Sequence, residues 1–354
     1  MKNVLIWLLP LYLPAQNQKP LFTAELALWK NNKPAAVSIT FDDADYTEFE
    51  YAFPLLEKYG FKATFGIVGE WTQDNASFSA EPGYFNIKKM GWKQLKTLSQ
   101  NGHELAAHGY HHRKFPPVTQ PEILLEETAK VKKLIETRTG KTVYTYHYPY
   151  SFVHEPLKKA VRRAGFRFGR AGEKSWKYNN PKTFDPYEIV SVAILNDTTP
   201  SAGQLKKLLE NQQGRWLVLM YHRLFPRGSK EMKIMQYHKV FNTYSLYPET
   251  FEKHMQILKQ SHYWIAPVIE VGSYALERRH ARLKWKKHCG RYVLKLFIDD
   301  PHYDFGIPLT VILKTSAKSL IIKQNKHTHT MATQAGTVLL KMYPNEKISL
   351  KIVE

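Results

Sequence analysis

The feature that most constrains this chain is a set of short runs in which almost every residue is apolar. Trp216-Leu217-Val218-Leu219-Met220-Tyr221 is the clearest. Ala35-Ala36-Val37-Ser38-Ile39-Thr40-Phe41 and Ala63-Thr64-Phe65-Gly66-Ile67-Val68 share its texture. A strand with one wet face alternates apolar and polar residues, whereas a run with no polar face reads as a strand covered on both sides. That is the signature of a parallel sheet under helices.

Amphipathic segments alternate with these runs. Helices are expected over 92–99, 121–138, 157–164, 205–211, 251–259 and 268–279, with further strands over 104–107, 142–148 and 263–266. One helix ends at Gly60 and another at Gly102, where glycine suits a C-terminal cap. Repeated strand–helix units define an α/β fold. Because some units are irregular, the expectation is a distorted (β/α) barrel with fewer than eight units. After residue 287 the texture changes to short β-like runs separated by turn residues, which predicts a small C-terminal antiparallel β domain. The boundaries follow: 25–285 for a catalytic domain, and 288–354 for a small β-sandwich-like domain whose role is packing or glycan binding.

The 354 residues are 43% hydrophobic and 23% charged, an ordinary globular composition with ample core. The formal net charge is +20, a field that attracts polyanions. The basic residues are spread along the chain, with no zinc-finger or RNA-binding signature, so no nucleic-acid partner is expected. An anionic cell envelope or acidic glycan explains the charge better. Residues 1–15 read as a signal peptide: Lys2, a short apolar run from Val4 to Leu13, then Ala15 before Gln16. No later stretch reaches spanning length, so no membrane span is expected. Secretion, or a periplasmic or envelope location, follows. The one cysteine, Cys289, allows no intrachain disulfide. A monomer is expected.

In barrels of parallel strands the chemistry sits at the C-terminal strand ends. Three polar signals fall there. Asp42-Asp43 leaves the first strand, and alternation points the two carboxylates apart, so one can hold a cation while the other takes a proton. His108-Gly109-Tyr110-His111-His112 follows the strand 104–107. One helical turn would bring His108 and His112 to one side, and His108 with His111 is the competing pair. His222 follows the strand 216–221.

In this order and spacing, with Tyr148-Pro149-Tyr150 between, these signals resemble the polysaccharide deacetylase family (the NodB-homology carbohydrate esterases). The resemblance runs from about Pro34 to Val271 and includes Leu56 to Phe65 and Trp92 to Glu104. It implies Asp42 as catalytic base, Asp43, His108 and His112 as ligands of zinc (cobalt or nickel as alternatives), and His222 as catalytic acid. Tyr148 and Pro149 would line the groove, and Tyr150 would offer a backbone N–H to the substrate. The implied reaction is hydrolysis of acetyl groups, most readily N-acetyl, from an acetylated polysaccharide.

The chain departs from the family pattern in places. His147 stands where the family often has an arginine that tethers the base, and Arg170 is the replacement expected. The motif whose aspartate orients the acid histidine has no clear match, leaving Asp185 and Asp197 as available carboxylates. Met220 stands in for a leucine. Loops 70–90 and 223–247 should form the groove, with Trp71, Arg227 and Arg170 as substrate contacts alongside aromatic and basic residues such as Tyr84, Phe85, Lys233, Tyr237 and Tyr244. Two other readings fit the same residues: a non-catalytic glycan-binding relative, and a zinc amidohydrolase acting on a non-sugar amide.

Overall fold

The structure, a computed structural model, describes residues 22–80, 86–173, 177–230 and 244–353. The segment expected to be a signal peptide lies outside these residues, as do Tyr84, Phe85, Lys233 and Tyr237.

The apolar runs become a closed parallel barrel. Its seven strands are Ala36–Phe41, Thr64–Ile67, Glu104–Ala107, Thr145–His147, Phe168–Glu173, Ile189–Ala193 and Trp216–Tyr221. Each pairs with the next in parallel, and the last closes on the first in full register, Trp216 beside Ala36 through Tyr221 beside Phe41. A short eighth strand, Trp264–Ile265, pairs with Ala36 and Val37 only. The first and last strands are buried at every position, which is why they carry no polar face. The core between barrel and helices takes Val37, Ile39 and Phe41 with Leu95, Val131, Leu157, Leu205 and Phe251. The distorted barrel with fewer than eight regular units is the observed architecture.

Two strands escaped the sequence reading. Phe168-Gly169-Arg170-Ala171-Gly172-Glu173 holds two glycines and a fully buried arginine, so its apolar signature is broken. The glycines answer local crowding: a Cβ on Gly169 would lie 2.6 Å from the Tyr148 hydroxyl, and one on Gly172 would collide with Ser151. Ile189–Ala193 is preceded by irregular chain rather than a helix, so the strand–helix rhythm that flags its neighbours is missing.

An antiparallel sandwich follows. A five-stranded sheet runs in the order Ala281–His288, Arg291–Ile298, Lys347–Val353, Ser319–Gln324, His327–Ala332. A three-stranded sheet holds Phe22–Leu26, Leu309–Thr315 and Thr337–Met342. The antiparallel unit therefore begins at Ala281 and recruits a strand from the start of the described chain. Its core, Leu294, Leu296, Val311, Leu320, Ile348 and others, is continuous with Ala36, Phe168, Ile189 and Trp216. Those four are the first residues of their barrel strands, so the sandwich, with the helix Val268–His280, covers the N-terminal mouth of the barrel, opposite the C-terminal strand ends.

Candidate active site

At the C-terminal mouth the chain leaves the first strand through Asp42 and Asp43, both almost fully buried. The Asp42 amide donates to the Tyr221 carbonyl, holding it in line with the barrel. Asp43 then turns into the left-handed region at φ 78°. That turn, on top of strand alternation, separates the two carboxylates.

Asp42 is gripped from the interior. The Arg170 Nη2 donates to both its oxygens, and His147 Nδ1 lies 2.7 Å from Oδ1. Gly66 makes room for this pair, since a Cβ there would sit 2.7 Å from His147 Nδ1 and 3.1 Å from Asp42 Oδ1. Burial acts against the charge on Asp42, but Arg170, His108 and His147 outweigh it and hold the carboxyl well below the usual carboxylate range. Arg170 thus takes the place of the missing tether. Its Nη1 also lies 2.7 Å from the Met220 sulfur, so Met220 is an acceptor for the tether rather than a plain apolar filler.

His108 and His112 meet across a loop, not on a helical turn. Gly109 at φ 77° and His112 at φ 52° bend the backbone back on itself, and the two Nε2 atoms come within 3.2 Å. The competing partner, His111, is turned away: Glu127 of the helix Pro121–Thr139 accepts from its amide and lies 2.7 Å from its Nδ1. His108 Nδ1 donates to the His147 carbonyl at 2.9 Å, which leaves the Nε2 lone pair facing His112.

Asp43 Oδ1 completes this cluster, 3.6 Å from His108 Nε2 and 3.5 Å from His112 Nε2. It is buried and accepts no hydrogen bond among the described residues. A buried carboxylate oxygen with no donor, facing two imidazole nitrogens, is an electrostatic arrangement that fits a cation. All three ligand atoms lie within 4.8 Å of one another. The donor set, one carboxylate and two imidazoles, suits zinc with a position left open. Burial, with the neighbouring His108, pushes His112 down to about 3, so its ring is neutral and able to ligate.

Behind Asp43 lies a charge network that the sequence reading missed. Arg223 Nη2 lies 3.3 Å from Asp43 Oδ2, and its Nε donates to Asp45 Oδ2 at 2.8 Å. Lys89, fully buried, donates to Asp45 Oδ1 at 2.7 Å. Arg223 therefore occupies the oxygen of Asp43 that faces away from the histidines. The signal available was the run Asp42-Asp43-Ala44-Asp45 with Arg223 next to His222, but nothing in spacing alone couples residues about 180 apart.

His222 is buried beside the carboxylates, its Nε2 4.0 Å from Asp42 Oδ2. Burial lowers its pKa, against the pull of Asp43 and Asp42. Neither expected orienter reaches it. Asp185 pairs with Lys158, and Asp197 accepts from the Tyr247 amide. The His222 Nδ1 is buried without a hydrogen-bond partner among the described residues.

The structure places the expected groove residues at different depths. Tyr148 is fully buried, with its hydroxyl donating to the Tyr187 carbonyl, and Pro149 is buried too, so both belong to the core beneath the site. Arg170 is fully buried and reaches Asp42, not solvent. Trp71 packs against the back of the His112 ring at 4.9 Å under Lys89, and offers little open face to a sugar. Arg227 is exposed and stacks over Tyr247. The exposed aromatics at the mouth are Tyr150, 4.7 Å from the His112 ring, and Tyr244, 4.5 Å from the His222 ring.

The architecture is thus a parallel barrel with an acid–histidine cluster at the C-terminal ends of its strands. Residues 30–169 match the model of the family described as polysaccharide deacetylase. Among curated relatives, Bacillus subtilis (strain 168) YxkH, named for the same family, is 28% identical over 148 residues, covering 41% of this chain and 48% of its own. The poly-beta-1,6-N-acetyl-D-glucosamine N-deacetylase of Staphylococcus aureus (strain MRSA252) is 27% identical over 166 residues, covering 46% and 55%. The chain spans about half the length of these relatives. Among solved structures, the Xyl-CE4 domain of a multidomain xylanase from the hindgut metagenome of Trinervitermes trinervoides aligns at 17% identity and a TM-score of 0.41, covering 67% of this chain and 89% of that one. Among the described residues no helix is long and apolar enough to cross a membrane.

Proposed function

We propose that the chain is a metal-dependent hydrolase that removes acetyl groups, chiefly N-acetyl, from a cell-envelope or extracellular polysaccharide. The observation that carries this reading is the buried Asp43 Oδ1, without a donor among the described residues, facing His108 and His112, with the tethered carboxylate of Asp42 alongside. Asp43, His108 and His112 would hold zinc, with cobalt or nickel as substitutes. A divalent ion bound there supplies Lewis acidity, polarising the acyl carbonyl and lowering the pKa of a water.

Asp42 Oδ2, 3.7 Å from His108 Nε2, borders that position and accepts the proton of the attacking water. Arg170 keeps Asp42 ionised, at the expense of its basicity, so Asp42 contributes more by position than by strength. The Tyr150 N–H, in a twisted turn with φ 57° at that residue, donates to the developing oxyanion, a contribution of about 3 kcal/mol for a well-placed donor. His222 protonates the departing nitrogen. Tyr150 and Tyr244 flank the mouth as stacking faces for sugar rings.

The Staphylococcus aureus relative is named for poly-beta-1,6-N-acetyl-D-glucosamine, and this polymer is the first substrate to try. Export guided by residues 1–15 would bring the chain to such a glycan. The test is acetate release from a panel of acetylated glycans against small acetamides, with Asp42→Asn as control. Glycan-dependent release lost in Asp42→Asn supports the reading. Full activity in Asp42→Asn contradicts it. One observation favours a second reading, a glycan binder without turnover: among the described residues His222 has no orienting partner on Nδ1. Tight glycan binding with no acetate release would select that alternative.

A further inference from the structure

Eight of the 51 lysines and arginines, separated along the sequence, are gathered on one sheet face. In the five-stranded sheet one face packs inward through Leu283, Leu294, Leu296, Leu320, Ile322 and Leu350. Strand alternation sends the intervening residues outward. On the first two strands these are Arg282, Lys284, Lys286, Arg291 and Lys295, and on the next two Lys347, Lys351 and Lys323, all exposed. The outward positions of the fifth strand are Thr328, Thr330 and Ala332. No acidic residue occupies an outward position on these strands. Of the eight cations, Arg282 alone forms an ion pair among the described residues, with Asp299 just past the strand end.

The register makes this costly. Lys284 stands directly opposite Lys295, and Lys295 directly opposite Lys347. Like charges in cross-strand pairs destabilise a sheet, so three lysines abreast are a repulsion that the fold alone does not require. The face is also two-dimensional, about 20 Å across five strands and about 20 Å along them, with half-buried Val293, Phe297 and Ile321 set among the lysines. A single polymer chain would engage one row of such a face. A lamella of anionic headgroups, with charge in two dimensions and an apolar layer beneath, would engage all of it.

We propose that the outer face of this sheet docks the protein on an anionic lipid bilayer surface. The sandwich covers the N-terminal mouth of the barrel, so docking there would leave the candidate active site, at the opposite, C-terminal mouth, facing a polymer outside the membrane plane. The attraction is screened by salt.

The test uses the full chain and sedimentation with vesicles of one-third phosphatidylglycerol in phosphatidylcholine, against pure phosphatidylcholine, at 50 and 500 mM sodium chloride. One variant carries Lys284→Glu, Lys295→Glu and Lys347→Glu. A control of equal net charge carries Lys93→Glu, Lys206→Glu and Lys253→Glu, exposed positions on barrel helices. Thermal melts confirm that both fold. The expected result is salt-sensitive binding to the anionic vesicles, weakened at least tenfold in the sheet variant and less than threefold in the control. Equal losses in both variants would show unspecific attraction by net charge and overturn the proposal. So would an undiminished sheet variant, or a chain that ignores the vesicles but is retained on an acidic glycan.

Discussion

Asp42 shows how much of the site one residue's surroundings decide. Its pair with Arg170 is buried and two-pronged, so removing the guanidinium leaves a carboxylate with His147 alone. Arg170→Gln is expected to cost about 3 kcal/mol of stability, the usual penalty for orphaning a buried charge. It also lets the Asp42 pKa rise, so the acid side of the pH–rate profile should move to higher pH with little change in KM. A thermal melt and a pH–rate profile check both. Gly66→Ala is a sharper probe, because the strand geometry there suits any residue while the added Cβ would press on His147 and Asp42. Activity should fall about a hundredfold, measured as kcat, with the fold kept. At this scale the sequence was legible for Asp42, Asp43, His108, His112 and His222, which motif order ties to strand ends. It was not legible for Arg223 and Lys89, whose partners are set by barrel closure. It gave no sign that Tyr148, Pro149 and Trp71 are buried, because a motif position says where a residue lies along the chain and not which side of the wall it faces.

Elements explain the rest. Continuous apolar runs announced the strands at 36–41, 64–67 and 216–221, since burial on both faces leaves no other composition. The strand carrying Arg170 hid itself by containing the site's own tether and the glycines that make room for Tyr148 and Ser151. The His108–His112 loop achieves by positive φ at Gly109 what the spacing alone suggested a helix would do. Glu104 opens the third barrel strand and ties it to its neighbours: the Thr145 hydroxyl donates to it, the Thr64 hydroxyl at 2.7 Å, and the Ile269 amide at 3.0 Å. Burial raises it from 4.5 to about 7. Between pH 4.5 and 7 the folded chain keeps a proton there that the unfolded chain has released, so this group's contribution to stability declines as pH rises through that window. Glu104→Gln should therefore flatten the fall in stability between pH 5 and pH 8, read from denaturant midpoints at each pH. A variant with the same pH slope as wild type would show that Glu104 titrates normally.

For the whole molecule the division of labour follows from which mouth of the barrel is covered. The sandwich core merges with the first residues of the strands, and the acid–histidine cluster stands at their last ones. The sequence announced both units from their texture, but it placed the antiparallel strands after residue 287. The pairing of Phe22–Leu26 with Leu309–Thr315 joins residues nearly 290 apart, which no local pattern encodes. The net charge of +20 likewise said nothing of where the charge gathers. The proposal that Asp43, His108 and His112 hold an ion needed for deacetylation is tested by acetate release from poly-beta-1,6-N-acetyl-D-glucosamine during chelation. Release should fall to background once the chain is stripped, and return on addition of one equivalent of zinc per chain to wild type but not to Asp43→Asn. Acetate release that persists in the fully stripped chain would contradict it.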